Sequence, residues 1–148
     1  MENYVLVNGT EFNAIRKKIR ENKGKEIVFT SNDDEMARKV IEKENINILL
    51  INQAGRKDKL KQRDSGFNQV LAKIAKKKNV AIGIDLDEIL SANEEEKSAV
   101  LARIRQNVKL CNKNKLKMKF LSNKTRSQYD LKALGLVLGM PTWMTPNL

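Results

Sequence analysis

The sequence alternates five short apolar runs with five segments whose apolar residues follow helical spacing. The runs occupy residues 4–7, 27–29, 46–51, 80–84 and 118–121. Several are continuously apolar, which is typical of parallel strands that are buried on both faces. Because parallel strands are joined by crossover helices, this order predicts an α/β fold with a parallel sheet and outer helices.

The segments between the runs carry apolar residues at intervals of three and four, as on the buried face of an amphipathic helix. These residues are Phe12, Ile15 and Ile19; Met36, Ala37, Val40 and Ile41; Phe67, Val70, Leu71, Ile74 and Ala75; Val100, Leu101, Ile104, Val108 and Cys111; and Leu131, Leu134, Val137 and Leu138. Residues typical of helix starts precede the first four segments at Thr10, 31–34, 64–65 and 93–96. We predict a single domain over residues 1–148, with a tail at 141–148 in which prolines exclude a further long helix.

The composition excludes several classes of enzyme. The chain has no histidine, which removes the usual zinc ligand and the imidazole general base. The single cysteine, Cys111, lies on an apolar helical face and is expected to be a core residue. No apolar run approaches the ~20 residues needed to span a bilayer. These features predict a soluble, cytoplasmic protein with no membrane partner.

Positive charge is concentrated in the last third of the chain. The sequence has 29 Lys and Arg against 18 Asp and Glu, a net charge of +11. Residues 1–50 hold nine basic and nine acidic side chains, whereas residues 97–148 hold eleven basic ones and only Asp130. This distribution is typical of a protein that binds a polyanion. A lysine-rich surface that is merely solvated is the alternative.

Two polar, basic segments follow predicted strands, at 52–57 and 122–126. Because parallel strands end at one edge of a sheet, both segments can present cations and hydroxyls to phosphate oxygens on one rim. We predict that the RNA-binding residues are Arg56, Lys57, Lys59, Lys61, Arg63, Ser122, Lys124 and Arg126, with Lys113, Lys115 and Lys117 as a flank. Aromatic residues are few, which favours recognition of folded RNA by backbone and shape over base stacking.

Two other features leave alternatives open. Asp85 and Asp87 follow the fourth strand and could hold Mg²⁺, but helix capping, with Asp87 starting a turn, is the favoured interpretation. Trp143 lies between two prolines and either caps the sheet or anchors a partner protein.

Several longer pieces of the sequence occur together in one known family. Residues 63–75 read RDSGFNQVLAKIA, residues 79–86 read NVAIGIDL, residues 120–123 read FLSN and residues 130–140 read DLKALGLVLGM. In this order they resemble archaeal ribonuclease P protein component 3, the counterpart of a eukaryotic ribonuclease P subunit. The resemblance covers roughly residues 46–140.

The resemblance implies a TIM-barrel-like fold related to PHP-type phosphoesterases, without their histidine-rich metal site. It implies a protein subunit that binds no cofactor itself and assists a catalytic RNA, which uses Mg²⁺, in removing 5′ leaders from precursor tRNA. The implied partners are ribonuclease P RNA, component 2 of the Pop5 type, the other ribonuclease P proteins and, indirectly, precursor tRNA.

The chain is short for this fold, since a complete (β/α)₈ barrel has ~250 residues. We therefore expect a reduced or incomplete barrel whose open sheet edges depend on a partner or on homo-association. A small metal-dependent phosphoesterase of the same barrel class is the alternative function, and a purely structural protein is a third.

Overall fold

The computed structural model describes residues 4–148; residues 1–3 of the predicted domain lie outside the described part. Within residues 4–148 the chain forms five strands, β1 (Tyr4–Val7), β2 (Glu26–Thr30), β3 (Ile48–Leu50), β4 (Ala81–Asp85) and β5 (Met118–Leu121). The same residues form six α-helices, α1 (Phe12–Glu21), α2 (Asp34–Lys43), α3 (Gln69–Lys78), α4 (Leu86–Ser91), α5 (Glu94–Lys113) and α6 (Gln128–Val137). A short 3₁₀ turn, Thr142–Met144, lies in the tail. No helix among these residues is both long and apolar enough to cross a membrane.

The strands form one parallel sheet in the order β1-β2-β3-β4-β5. Each strand pairs with the next one along the chain, so that Val5 lies opposite Ile27 and Ile84 lies opposite Phe120. Every crossover therefore advances in the same direction, as consecutive units of a TIM barrel do. In the described part of the chain β5 and β1 do not pair, and the barrel is incomplete. The predicted α/β class, with a parallel sheet and outer helices, is confirmed.

Successive strand residues point to opposite faces of this sheet. The outer face packs against the helices and forms the main core, with Phe29 and Leu49 at its centre. The inner face forms a separate, smaller cluster around Val28, Ile48, Leu50 and Leu121. Both faces are apolar, which explains the continuous apolar runs in the sequence.

The sheet is curled rather than flat. The Nζ atom of Lys119 on β5 lies 3.9 Å from Oε1 of Glu26 on β2. In a flat sheet these strands would be about 14 Å apart, three spacings of ~4.8 Å, so that only fully extended side chains could meet. The edge strands β1 and β5, four spacings apart in the sheet order, also come close enough for Tyr4 and Phe120 to line one cleft. The inner face is correspondingly tight: a Cβ at Gly83 would lie 3.0 Å from a methyl group of Ile48 and 3.2 Å from one of Leu121. A glycine at this position allows the strands to close around the inner cluster.

Helix starts follow the predictions in two cases. Asp33 caps α2 by accepting hydrogen bonds from the backbone N–H groups of Glu35 and Met36. Asn93 caps α5, which has three glutamates in its first turn.

The predicted start of the third helix at 64–65 is wrong. The cap of α3 is Asn68, whose side chain accepts from the N–H of Leu71. With this start, Leu71 and Ala75 face the core, and Val70 is exposed rather than buried. Val137 of α6 is likewise exposed, whereas Cys111 is fully buried as expected.

Candidate nucleic-acid interface

Two loops lie at the carboxyl edge of the sheet, on either side of α4. The β3–α3 loop comprises residues 51–68 and the β5–α6 loop comprises residues 122–127. Because β4 lies between β3 and β5, the first turn of α4 separates the two loops. The predicted placement of both loops on one edge is confirmed.

The carboxylates of α4 hold both loops in place. Glu88 Oε1 accepts hydrogen bonds from the backbone N–H of Gln53, at 2.6 Å, and from that of Ala54. Asp87 accepts from Ser122 Oγ at 2.8 Å and from the N–H of Asn123 at 2.7 Å. One helical turn therefore fixes the relative position of the two basic loops.

The surroundings of Asp87 and Glu88 shift their pKa values in opposite directions. The hydrogen bonds from Asn123 and Ser122 lower the pKa of Asp87. Burial raises the pKa of Glu88, against the effect of its two backbone donors. Asp87 therefore anchors the β5–α6 loop through hydrogen bonds that favour its charged form.

Asp85 and Asp87 have different structural roles. Helix capping belongs to Asp85, which accepts from the N–H of Glu88 at 3.1 Å, and not to Asp87 as the sequence suggested. Both carboxylates that could hold Mg²⁺ are thus engaged with the protein's own donors. Over residues 4–148, no group of three or more His, Cys, Asp or Glu side chains is arranged to hold a metal ion.

A buried arginine on α5 fastens the β3–α3 loop. Arg103 is only 4% exposed. Its Nε donates to Asp58 Oδ1 at 2.9 Å, and its terminal nitrogens donate to the carbonyl oxygens of Gln53, at 3.0 Å, and Arg56, at 2.7 Å. The Arg103 hydrogen bond is the main reason why the pKa of Asp58 is lowered. One side chain thus donates hydrogen bonds to three acceptors that are spread along the first half of the loop.

The second half of the loop is fixed by a buried polar pair. Ser65 Oγ donates to Asn107 Oδ1 at 2.6 Å, and both residues are buried. Ser65 Oγ also accepts from the N–H of Phe67, whose ring belongs to the main core. The loop is therefore anchored on α5 at two points one helical turn apart.

Arg56 differs from the other cations predicted in this loop. Its guanidinium donates to both carboxylate oxygens of Asp34, at 3.0 and 3.3 Å, and to the carbonyl oxygen of Asn52 at 2.7 Å. The guanidinium also lies against Gly66, where a Cβ would be 2.5 Å from it. The side chain is 15% exposed and joins the loop to the start of α2. Its contact with phosphate stays a prediction.

The remaining cations of the loop project from its surface. Lys59 and Gln62 exchange backbone hydrogen bonds, at 2.9 and 3.4 Å, so that the chain turns sharply between them. Leu60 at the tip of this turn is fully exposed. The exposed predicted residues that surround the turn are Lys57, Lys59, Lys61 and Arg63.

The β5–α6 loop borders a cleft of about 360 Å³ between β5 and the edge strand β1. Ser122, Lys124 and Arg126 line it, together with Tyr4 of β1. Arg126 lies 3.7 Å from Asp87, so its guanidinium is held at the mouth while Lys124 is exposed. The structure thus brings together the three residues predicted in this loop.

The predicted flank lies elsewhere. Lys113, Lys115 and Lys117 precede β5, whereas the basic loops follow the strands. The length of β5 separates the two groups, about 13 Å for four residues at 3.3 Å each. These lysines are exposed, but they lie at the opposite edge of the sheet and do not flank the rim.

Sequence reasoning missed the residues that position the loops, namely Arg103, Asn107 and Glu88. A signal was present for two of them. Arg103 and Asn107 follow Val100 by three and seven positions and so fall on the apolar stripe of α5. Polar side chains at core positions need buried partners, which the β3–α3 loop supplies.

No protein-family model matches this sequence. Among solved structures, the fold is similar to that of one chain in the cryo-EM structure of archaeal ribonuclease P with mature tRNA. The two share a TM-score of 0.80 and 24% sequence identity over 95% of this chain. The match covers 62% of the other chain, so this protein spans less than two thirds of its length.

Proposed function

We propose that the protein is an RNA-binding subunit of ribonuclease P that assists the removal of 5′ leaders from precursor tRNA. The observation that carries the proposal is the likeness of its fold, at TM-score 0.80, to a chain of archaeal ribonuclease P with tRNA. The resemblance of residues 46–140 to component 3 supports the finer assignment. In this proposal the RNA subunit, with Mg²⁺, performs the cleavage in the cytoplasm, and component 2 is the protein partner.

The arrangement of charges supports a contact with RNA backbone. The exposed cations at the tip of the β3–α3 loop and those of the β5–α6 loop lie on the same edge of the sheet. Arg103, Asp87 and Glu88 hold the backbone of both loops in place, so less backbone freedom is left to lose on binding. Prior ordering of this kind reduces the entropic cost of association.

A salt series with a matched pair of variants tests the contact. Lys59→Ala/Lys61→Ala removes two charges from the exposed tip, and Lys17→Ala/Lys18→Ala removes two from the exposed surface of α1. Affinity for ribonuclease P RNA is measured by filter binding from low to moderate salt. Each lost phosphate contact should reduce the slope of log affinity against log salt by about 0.7 to 0.9.

We expect the tip variant to show the lower slope and the α1 variant to behave as the wild type. An affinity that does not depend on salt would contradict the proposal. Equal behaviour of the two variants would remove the β3–α3 loop from the interface.

A further inference from the structure

A second basic surface lies at the opposite edge of the sheet from the two loops. We define the amino-end patch as Lys76, Lys113, Lys115, Lys117 and Trp143. The three central lysines lead into β5, and Lys76 lies in the last turn of α3, which leads into the neighbouring strand β4. The tail brings Trp143 to the same end of α5.

Specific contacts join three members of the patch, Lys76, Lys115 and Trp143, at the end of α5. Lys76 Nζ donates to the carbonyl oxygen of Lys115 at 3.1 Å. Trp143 Nε1 donates to Asn112 Oδ1 at 3.0 Å, and Lys115 Nζ lies 5.7 Å from the centre of the indole ring. The ring is therefore fixed in position, and the residue is still 40% exposed. An aromatic side chain held at the surface among cations offers a face on which a base can stack.

The charge of the patch exceeds what helix termination requires. Residues 69–80, 107–119 and 141–148, which form the patch and its surroundings in the chain, contain no acidic side chain. The helix dipole favours Lys76 in the last turn of α3, but Lys115 and Lys117 lie beyond the end of α5.

The backbone conformation of Lys115 also indicates that its charge is not needed to end the helix. It has a φ of 56°, a left-handed conformation that non-glycine residues other than asparagine adopt infrequently. Asn79 has the same φ at the equivalent position before β4. Asparagine can therefore end a helix in this conformation, and the lysine at position 115 adds a cation beside Trp143 that the helix end does not require.

We propose that the amino-end patch binds a single-stranded segment of RNA, with one base stacked on Trp143 and the adjoining phosphates held by the lysines. The inference rests on the proposed function, which it extends to a second RNA contact on the other edge of the sheet. Two contacts on opposite edges would let one small domain bridge two RNA elements. The scarcity of aromatic residues excludes an extended stacking platform, but a single ring suits one base.

The test uses the fluorescence of Trp143, which is the only tryptophan in the chain. The full-length protein is titrated with a ten-nucleotide oligoadenylate at low salt, and binding is measured in parallel by gel shift. We expect the emission to be quenched along the same isotherm as the gel shift. We expect the Lys59→Ala/Lys61→Ala variant to give the same quenching, because its substitutions lie at the other edge.

Variants separate stacking from charge. Trp143→Leu should weaken oligoadenylate binding about 5- to 150-fold, whereas Trp143→Phe keeps an aromatic face and should lose much less. Lys113→Ala/Lys117→Ala should reduce the salt slope by about 1.4, at 0.7 per phosphate of a single strand.

The possible failures are distinguishable. A gel shift with unchanged emission, and full affinity in Trp143→Leu, would overturn the inference and retain the proposed function. Failure of the protein to bind either oligoadenylate or ribonuclease P RNA would overturn the proposed function as well.

Discussion

Replacing Arg103 by methionine is the most informative single change in the positioning of the β3–α3 loop. Methionine keeps an unbranched stem in the buried site but has no donors. The variant therefore loses the hydrogen bonds to Asp58, Gln53 and Arg56, and it leaves buried acceptors without partners.

The size of the effect follows from these contacts. A hydrogen bond from a charged donor contributes about 1.5 to 3 kcal/mol, and two of the three acceptors are backbone carbonyls. The Asp58 side chain is 34% exposed, so solvent screening reduces its ion pair to about 0 to 1 kcal/mol. Together these give a loss of about 3 to 7 kcal/mol in the free energy of unfolding, a range that includes the values measured for breaking a buried pair.

Urea denaturation followed by circular dichroism measures this loss. With a dependence of about 2 kcal/mol per molar urea, the midpoint should fall by about 1.5 to 3.5 M. Arg105→Met is the matched control, because Arg105 lies on the same helix and is exposed. Its stability should change by no more than about 0.5 kcal/mol. Equal midpoints for the two variants would refute the role of Arg103 as an anchor.

Three further perturbations test other parts of the account. Gly66→Ala and Gly55→Ala meet the same backbone strain, at φ of +76° and +74°, but only Gly66→Ala places a Cβ against Arg56. Thermal denaturation should therefore show that Gly66→Ala is the less stable variant. Equal loss of stability in the two variants would contradict the contact between Gly66 and Arg56. The folded-state pKa values of Asp58 and Asp87 lie below the ordinary 3.8, so the stability that these residues contribute is complete above that value and is lost as the pH falls through the lower folded-state values. The Asp58→Asn variant, unfolded in urea at neutral pH and at about pH 3, should therefore lose less stability in acid than the wild type. An unchanged pH dependence would argue against this role. Burial raises the pKa of Cys111 to about 12, so a thiol reagent should label the chain only after unfolding, and rapid labelling of the native protein would show that the helix face is open.

The strands and their order could be predicted because strands that are buried on both faces consist of consecutive apolar residues, which are visible in the sequence. The run at 46–51 illustrates the limit: only Ile48–Leu50 pair as β3, although Ile46 and Ile51 are buried beside it. Periodicity reports burial, and burial extends beyond the hydrogen-bonded ladder. Val70 shows a different limit: it fits the helical spacing but is exposed, because α3 begins at Gln69 and buries Leu71, Ala72 and Ala75 instead.

The roles of individual charges could not be predicted, because they depend on contacts between distant parts of the chain. Arg56 and Lys57 are adjacent and alike in sequence, yet Arg56 is engaged by Asp34, 22 residues away, and Lys57 is exposed. Arg103 meets Asp58 across 45 residues. Local composition identified a basic protein, whereas only the packing of α5 against the β3–α3 loop distinguishes structural arginines from surface cations.

Cleavage of precursor tRNA with and without this protein tests the central claim most directly. Ribonuclease P RNA and the remaining protein subunits are combined with Mg²⁺, and the release of the 5′ leader is followed on gels. We expect the nuclease-treated protein alone to release no leader, and its addition to the RNA and the other subunits to increase the rate. Leader release by the protein free of all RNA, or a rate that its addition leaves unchanged, would contradict the account.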